Sequence, residues 1–408
     1  MKSMDLTVGH ARQRLSEIVR VDELGDEAIV ERWSRAVWSH LVEPGDGIAG
    51  RLIDSLGAEV ALRTLLAGPP RDQLGGLSLR ELTEAWKRWQ PRLAVDPVAT
   101  ALEVARRQGI RLVVPGDPDW PDQLSDLGAH APVCLWVRGD TGALARLRPS
   151  AAVVGARAAT SYGEHVAVEI AADLAGGGVP IVSGAAYGID GAAHRAALAV
   201  GGLTVALLAG GADRSYPVGH AQLIDRIAAA GAVISEVPCG SAPTKWRFLQ
   251  RNRLIAALSG AVVVVEAGWR SGSLNTAGHG VSLGRPLGAV PGPVTSAASA
   301  GCHRLLREFG AACITDGADV RELLGLVEGA AEAVDEALFT MGADDARPWT
   351  DHRTRATDAL STRTWRDASD VARRSGMSLA AIESLLGLLA LEGLVQGGPQ
   401  GWRKVPVG

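Results

Sequence analysis

The feature that most constrains the fold is an alternation of short apolar runs with helical segments between residues 110 and 320. Apolar runs this short, each followed by a helical segment, are typical of βαβ units whose strands lie in a buried parallel sheet. The sequence therefore predicts an α/β fold for residues 105–325, with an extended Rossmann-like, largely parallel sheet and helices on both of its faces. Most of the runs end in glycine or a small polar residue: AAVVG (151–155), PIVSG (180–184), TVALLAGG (204–211) and AVVVVEAG (261–268).

Other segments flank this predicted sheet domain. Residues 1–95 carry apolar residues at three- and four-residue spacings, which predicts a helical N-terminal module similar to a SAM or helix-hairpin-helix domain. Residues 326–358 lose the strand pattern and become acidic and then polar, so we expect a linker that is partly helical. Residues 359–408 have the order helix, tight turn, helix and hairpin, which predicts a winged-helix-like module.

The composition restricts the location of any nucleic-acid site. With 41 Lys and Arg against 45 Asp and Glu, the formal net charge is −4, so such a site must be a local patch. The N-terminus has no apolar secretory segment and no apolar run is long enough to cross a membrane, which predicts a cytoplasmic protein.

The cysteines lack C-x-x-C spacing and metal-ligand spacing, so we expect them all to be reduced and buried: Cys134, Cys239, Cys302 and Cys313.

The run at 151–155 leads into a turn that is similar to a dinucleotide fingerprint. That fingerprint has the spacing G-x-G-x-x-G, and here Gly155 fills the first position while Arg157 replaces the second glycine. A dinucleotide site would also need an acid at the end of the next strand, which instead ends at Ser183 and Gly184. The sequence argues against a dinucleotide cofactor and leaves two interpretations of Arg157, a phosphate ligand or a surface arginine on a tight turn.

The turn SGAAYGIDGAAH joins the next strand to a helix. Ser183, Gly184 and Gly188 predict a second anion-binding nest of backbone N–H groups. Asp190 and His194 are four residues apart on one helical face, a spacing that a catalytic acid–base pair can use. An aspartate that caps the helix beside a packed histidine is the alternative, and we favour it.

A basic segment, TKWRFLQRNRLIAALSG, lies at 244–260. No Asp or Glu occurs between Val237 and Val265 to neutralise it. Cations beside aromatic rings are suited to the phosphates and bases of single-stranded nucleic acid, whereas a solvated helix start is the alternative. The missing acids favour binding by the following cations and rings: Lys245, Trp246, Arg247, Phe248, Arg251 and Arg253.

Another candidate turn follows the run at 261–268. Glu266 ends this run, and the next turn offers hydroxyl groups and close backbone approach to a phosphate through Ser271, Gly272, Ser273 and Thr276. Ser273 or Asn275 is expected to cap the following helix, and this structural role is compatible with phosphate binding.

Seven motifs, taken in order, resemble those of the bacterial DNA-processing protein A family (DprA, also called Smf): VVGARAATSYG, IVSGAAYGIDGAAH, LAGGADRSYP, ISEVPCG, FLQRNRLIAALS, SGSLNTA and VPGPV. With DWPDQLSDLGAHAPVCLWVRGD upstream, the resemblance covers roughly residues 110–320. It implies a non-catalytic domain that binds single-stranded DNA without ATP or another cofactor. It also implies a homodimer with no membrane partner, which brings the RecA recombinase onto incoming strands during natural transformation.

The resemblance extends to single residues. It implies that the Gly-x-Arg turn at Gly155 and Arg157 grips a phosphate, and that Lys245 and Phe248 supply a phosphate contact and a stacking ring. The predicted single-stranded DNA site comprises Gly155, Arg157, Ser183, Gly184, Tyr187, Gly188, Lys245, Arg247, Phe248, Arg251, Asn252, Arg253, Ser271, Gly272, Ser273 and Thr276. The chain departs from the family pattern at Ala156, Tyr187 and Gly278, where a phosphate donor is more usual; Tyr187 instead offers a ring that can stack on a base.

Two alternatives stay open at this point. The same fold could carry an N-glycosidic, phosphoribohydrolase-like enzyme that uses Glu266, although the P-G-G-x-G-T turn of such enzymes is replaced here by SGSLNT. The C-terminal module could bind duplex DNA or protein. Because its second helix, within residues 378–392, contains no Lys or Arg for major-groove contacts, we favour a protein-interaction or dimer role.

Overall fold

The structure, a computed structural model, describes residues 5–93, 97–326 and 352–405. In its N-terminal part the ring of Trp38 packs edge-on against Trp89, with 5.1 Å between the ring centres, and the Trp38 indole N–H donates to Ala58 O. Gly57, with φ +78°, separates two helices in a stretch where apolar residues keep a helical spacing on both sides of it. The helices of this part are α1 (Val8–Leu15), α2 (Asp26–Leu41), α3 (Gly47–Leu56), α4 (Ala58–Leu66), α5 (Leu79–Leu93) and α6 (Pro97–Arg107).

A nine-stranded sheet forms the centre of the described chain. Its order is β1-β2-β6-β5-β4-β3-β7-β8-β9, and all neighbours are parallel except the pairs β1–β2 and β2–β6. This confirms the predicted α/β fold with a largely parallel sheet. The strands are β1 (Ile110–Val113), β2 (Leu135–Gly139), β3 (Ala151–Gly155), β4 (Ile181–Ser183), β5 (Thr204–Leu208), β6 (Ala232–Ser235), β7 (Ala261–Glu266), β8 (Leu287–Ala289) and β9 (Ala312–Cys313).

Helices cover both faces of the sheet. Successive side chains of a strand point to opposite faces, so each strand contributes apolar residues to both layers of helices. In β3, Val153 packs in a core cluster with Ile170 and Ile189 on one face, whereas Val154 packs with Leu254 on the other. Each face therefore has its own apolar core. The helices of this domain are α7 (Ser161–Gly176), α8 (Ile189–Ala199), α9 (Ala221–Ala230), α10 (Lys245–Leu258), α11 (Ser273–Ser282), α12 (Ala300–Glu308) and α13 (Gly317–Leu323).

The strand order reverses at β3, which pairs with β4 on one side and with β7 on the other. The chain builds β4, β5 and β6 outward from one side of β3 and later adds β7, β8 and β9 outward from its other side. Ligands of open α/β sheets bind at such a reversal, beyond the carboxyl ends of the strands. The topology therefore places a candidate site where β3, β4 and β7 end.

The C-terminal part contains α14 (His352–Asp358), α15 (Ala368–Ser375), α16 (Leu379–Leu391) and a hairpin of β10 (Val395–Gly398) and β11 (Gly401–Lys404). Gly376, in the left-handed conformation, ends α15. Most of the predicted linker, residues 327–351, lies outside the described residues, and the end of that linker is helical as α14. This helix packs against α10 of the sheet domain.

The burial of the cysteines and the length of the helices bear on two expectations from composition. Cys134, Cys239 and Cys302 are buried, but the expectation that every cysteine is buried is wrong for Cys313, which is exposed at the end of the edge strand β9. Among the described helices, none combines the length and the apolar composition needed to cross a membrane.

Candidate functional site

A groove of about 1190 Å³ opens where β3 and β7 end. The structure brings most of the predicted site residues together on its lining. These are Gly155, Arg157, Lys245, Phe248, Arg251, Asn252, Ser271, Gly272, Ser273 and Thr276. The remaining predicted residues do not line this groove: Ser183, Gly184, Tyr187, Gly188, Arg247 and Arg253.

The turn after β3 is held close to the neighbouring strand and helix. A Cβ atom at Gly155 would lie 2.5 Å from Ile189 Cγ1 and 2.9 Å from Glu266 O, so only glycine allows this approach. The Ala156 N–H donates to Glu266 O at 2.7 Å. The Glu266 carboxylate in turn accepts from Thr160 N at 2.8 Å and from Thr160 Oγ1 at 2.7 Å. The turn that carries Arg157 is therefore fixed at both ends.

Arg157 is exposed on this turn, and its guanidinium carbon lies 4.8 Å from the centre of the Phe248 ring. Among the described residues, no carboxylate lies within 4.0 Å of the Arg157 guanidinium. A cation over an aromatic face is favourable, and a cation without a carboxylate partner remains available to an anion. Arg157 is thus a preorganised donor at the switch point of the sheet.

The start of α10 supplies the opposite wall of the groove. Thr244 caps the helix by accepting from Arg247 N at 3.2 Å, which places Lys245 in the first turn and Phe248 one turn later. Lys245 is exposed and Phe248 is half-buried. The Phe248 ring also meets Tyr216, with 5.4 Å between the ring centres. The Phe248 ring is therefore in contact with both the Arg157 guanidinium and the Tyr216 ring.

Arg251 has a structural role beneath this ring. It is buried, and its Nη1 donates to the carbonyl oxygens of Gly184 and Leu207. A Cβ atom at Gly184 would lie 2.2 Å from Arg251 Nη1, so the glycine makes room for the guanidinium. Burial lowers the pKa of Arg251 to about 10, although Asp190 opposes this shift. Arg251 thus joins the ends of β4 and β5 and is engaged within the fold.

The predicted anion nest at Ser183, Gly184 and Gly188 is wrong, because the protein's own carboxylate occupies it. Asp190 Oδ2 accepts from Gly184 N at 3.1 Å and from Ala186 N at 3.4 Å, and burial raises the pKa of Asp190. The Ser183 hydroxyl donates to Val153 O at 2.7 Å. Gly188 has φ +71°, and a Cβ atom there would lie 2.2 Å from Ala156 O.

The segment contains no acid, but the expectation that its cations are left unneutralised is wrong, since two acids from outside the segment pair with its arginines. Arg247 donates to both carboxylate oxygens of Glu43, at 2.9 and 3.1 Å. Arg253 donates to both carboxylate oxygens of Glu236, each at 2.7 Å. Asn252 donates to Gly272 O at 3.3 Å. Arg247 and Arg253 therefore join parts of the fold and are not free phosphate ligands.

The turn before α11 forms the floor of the groove. The capping residue is Gly272 without a side-chain hydrogen bond, so the expected cap by Ser273 or Asn275 is wrong. The hydroxyl oxygens of Ser271 and Ser273 lie 2.8 Å apart, and Ser273 and Thr276 are buried. These hydroxyl groups make the floor polar, which suits a sugar–phosphate backbone better than an apolar ligand.

Asp190 and His194 do not form an acid–base pair. The His194 Nδ1 lies 2.7 Å from Thr204 Oγ1, and burial lowers the pKa of His194 to about 3. Tyr187 is 48% exposed but packs edge-on against His220 outside the groove lining. No group of three or more metal-ligating side chains occurs in the described part of the chain.

Several lining residues were missed by the sequence analysis: Tyr216, Trp269, Arg270 and Asp358. Trp269 and Arg270 stand in GWRSG directly after a strand, and an aromatic beside a cation in such a turn is a signal that could have found them. Asp358 lies in the predicted linker, where the sequence has no feature that relates it to the groove.

The sequence and the fold of this chain are both similar to those of known bacterial proteins. The family model of DNA recombination-mediator protein A matches residues 111–325. The DNA processing protein DprA of Mycobacterium tuberculosis is 44% identical over 334 residues, covering 78% of this chain and 82% of that protein. Protein Smf of Escherichia coli is 34% identical over 334 residues, covering 81% and 85%. The crystal structure of DNA processing protein A from Streptococcus pneumoniae superposes with a TM-score of 0.56 at 32% identity, covering 70% of this chain and 94% of that one. This chain belongs to the DNA recombination-mediator protein A family.

Proposed function

We propose that this protein binds single-stranded DNA in the groove and does not catalyse a reaction on it. The observation that carries the proposal is the exposed Arg157 guanidinium over the half-buried Phe248 ring. Proteins that hold single strands combine cations for the phosphates with rings on which bases stack. Arg157 and Lys245 supply the cations from two walls, and Phe248 supplies the ring between them.

The proposed contact set is smaller than the one predicted from sequence. It keeps the predicted residues that line the groove and are exposed or half-buried. It leaves out Arg247 and Arg253, which are paired with carboxylates outside the lining. It also leaves out the buried lining residues Arg251, Asn252, Ser273 and Thr276. The set consists of Gly155, Arg157, Lys245, Phe248, Ser271 and Gly272. Because these contacts involve phosphates and one ring face and not base edges, binding is expected to tolerate any base sequence.

The three residues considered above for catalysis are already engaged within the fold. The Glu266 carboxylate accepts two hydrogen bonds from Thr160 and is 2% exposed. Asp190 holds the turn after β4, and His194 is buried against Thr204. These engagements support a binding protein over the phosphoribohydrolase-like alternative. Incubation with nucleoside monophosphates should release no free base, and base release that depends on Glu266 would contradict the proposal.

The proposed partners follow from family membership. A recombination mediator must hand its strand to a recombinase, so we extend the proposal to RecA, to a cytoplasmic homodimer and to strands taken up during natural transformation. We assign the C-terminal part a protein or dimer contact, because α16 carries no Lys or Arg. The check is RecA filament formation on single strands, which the wild-type chain should accelerate and Arg157→Ala should not.

The decisive experiment is a salt titration of binding to single-stranded, duplex and tailed oligonucleotides. Arg157→Ala should weaken single-strand binding by about 10- to 100-fold, since a hydrogen bond to a charged group contributes about 1.5–3 kcal/mol. It should also reduce the slope of log K against log salt by about 0.7, the value for one released counterion on a single strand.

The matched control is Arg226→Ala. Arg226 is an exposed arginine of α9 that does not line the groove, so this variant has the same charge change at another place. We expect wild-type affinity and slope from it. Equal binding by the Arg157 variant and this control would place the DNA site elsewhere.

A further inference from the structure

The loop after β7 displays a tryptophan at the rim of the groove. Trp269 is 58% exposed, and it lines the groove together with its exposed neighbour Arg270. Nothing in the proposed contact set explains such a ring, and exposing so large an apolar surface to water is unfavourable. An exposed aromatic with adjacent cations, continuous with a basic groove, fits a ligand that has both planar apolar faces and negative charge.

Close backbone packing holds this loop in place. The Gly301 N–H donates to Ala267 O at 2.7 Å. A Cβ atom at Gly301 would lie 2.7 Å from Gly268 O and 2.8 Å from the Ala267 Cβ, so α12 can approach the loop only with glycine here. The start of α12 is thereby pressed against the residues immediately before Trp269.

One turn further along α12, Arg304 covers a face of the tryptophan ring. Its guanidinium carbon lies 5.4 Å from the Trp269 ring centre and 5.5 Å from that of Phe309, and its Nε donates to Glu308 at 2.8 Å. The contacts with two rings and one carboxylate restrict the motion of the Arg304 side chain. It fixes the orientation of Trp269 and leaves the other ring face for a planar ligand.

We infer that Trp269 is a second base-stacking platform, on which the single strand continues after it has passed Arg157 and Phe248. The inference rests on the proposed function and deepens it by adding a subsite. Phe248 stacks one base inside the groove, Trp269 stacks another at the rim, and Arg270 lies beside it for a phosphate. Only a strand long enough to reach from Phe248 to Trp269 can therefore stack on both rings.

The test compares full-length variants on oligothymidylates of increasing length, with 2-aminopurine placed at each position in turn. Fluorescence of 2-aminopurine falls when it stacks on a ring. On the shortest strand that binds with full affinity, which can occupy the groove in only one register, wild type should quench the probe at two separated positions. Trp269→Ala should abolish quenching at one of them and weaken binding about tenfold for long strands but not for strands too short to reach the rim. Trp269→Phe should restore most of the affinity.

Tyr162→Ala is the matched control, because it removes another exposed aromatic ring, one that does not line the groove. It should bind strands of every length like wild type. Equal losses in both alanine variants, or a Trp269→Ala variant that changes only the oligomeric mass of the protein, would overturn the inference. If wild type binds no single strand, the proposed function fails; if Arg157→Ala loses binding and Trp269→Ala does not, only the platform fails.

Discussion

At the scale of single residues, the groove separates cations that hold the fold together from cations that face open space. Arg247 and Arg253 are paired with carboxylates, and Arg251 is bonded to two carbonyl oxygens. Arg157 and Lys245 are exposed. A buried charge is tolerated only where it is paired or well hydrogen-bonded, so the buried arginines need their partners within the fold. The two exposed cations are the ones available to bind a ligand.

A residue-scale prediction concerns the buried His194. Its pKa is lowered to about 3 by burial, whereas the unfolded imidazole takes up a proton near pH 6.5. A depressed pKa means that stability is present above pH 6.5 and is lost as the pH falls from there towards 3, by about 2 kcal/mol at pH 5. In urea unfolding, His194→Gln should reduce the loss of stability between pH 7 and pH 5 by about that amount.

The control for this prediction is His165→Gln. His165 lies on the surface of α7, where water already surrounds its ring, so this variant removes an imidazole without removing a buried one. Identical pH profiles for the two variants would show that His194 does not cause this loss of stability.

At the scale of elements, the sequence predicted the sheet well because each strand is a local signal. The four quoted runs at 151–155, 180–184, 204–211 and 261–268 contain the strands β3, β4, β5 and β7. The failures were non-local: Glu43 and Glu236, which neutralise the basic segment, lie outside it in the chain. Composition within a window cannot reveal partners that only folding brings together. For the same reason the sequence could not show that Asp358 of α14, in the predicted linker, lines the groove.

The element-scale prediction concerns the contact between α14 and α10. Asp358 Oδ2 accepts from the Lys245 N–H at 2.8 Å, which puts a negative charge at the positive end of α10 inside the groove lining. That charge repels phosphates where the helix would otherwise attract them. Asp358→Asn keeps an acceptor oxygen and removes the charge, so single-strand affinity at low salt should rise about two- to fivefold.

Asp367→Asn is the matched control. Asp367 caps α15 by accepting from Asp370 N at 2.7 Å and does not line the groove. Fluorescence anisotropy at several salt concentrations should show tighter binding for the Asp358 variant alone, with the difference shrinking as salt screens the charge. A gain common to both variants would point to overall charge instead.

At the scale of the whole molecule, one carboxylate ties three parts of the chain together. Glu43, just after α2, accepts from Arg92 of α5 and from Arg247 of α10, while Arg92 Nε donates to Arg373 O of α15. Burial alone would raise the pKa of Glu43, but Arg247 and Arg92 outweigh it and hold this pKa well below its usual range. The N-terminal helices, the sheet domain and the C-terminal part therefore share one electrostatic centre.

Glu43→Gln should destabilise the protein by about 3–5 kcal/mol, because it leaves buried arginines without their counter-charge. Chemical unfolding measures the loss, and hydrogen exchange should show faster exchange of the amides in α15 before those of the sheet. In the control, Glu59→Gln, the exposed pair with Arg63 is broken, and the expected cost is at most about 1 kcal/mol. Equal costs for the two variants would exclude a central role for Glu43.

The position of β3 between β4 and β7 has a consequence for synthesis of the protein on the ribosome. The β7 side of β3 has no partner until residues 261–266 have been made, roughly 100 residues after β3 itself, or on the order of 5–20 s at usual elongation rates. During that interval an apolar strand edge is open to pairing with other chains. Arg157 is then present without Phe248 opposite it, so a nascent chain lacks one wall of the groove and acquires its binding site late in translation.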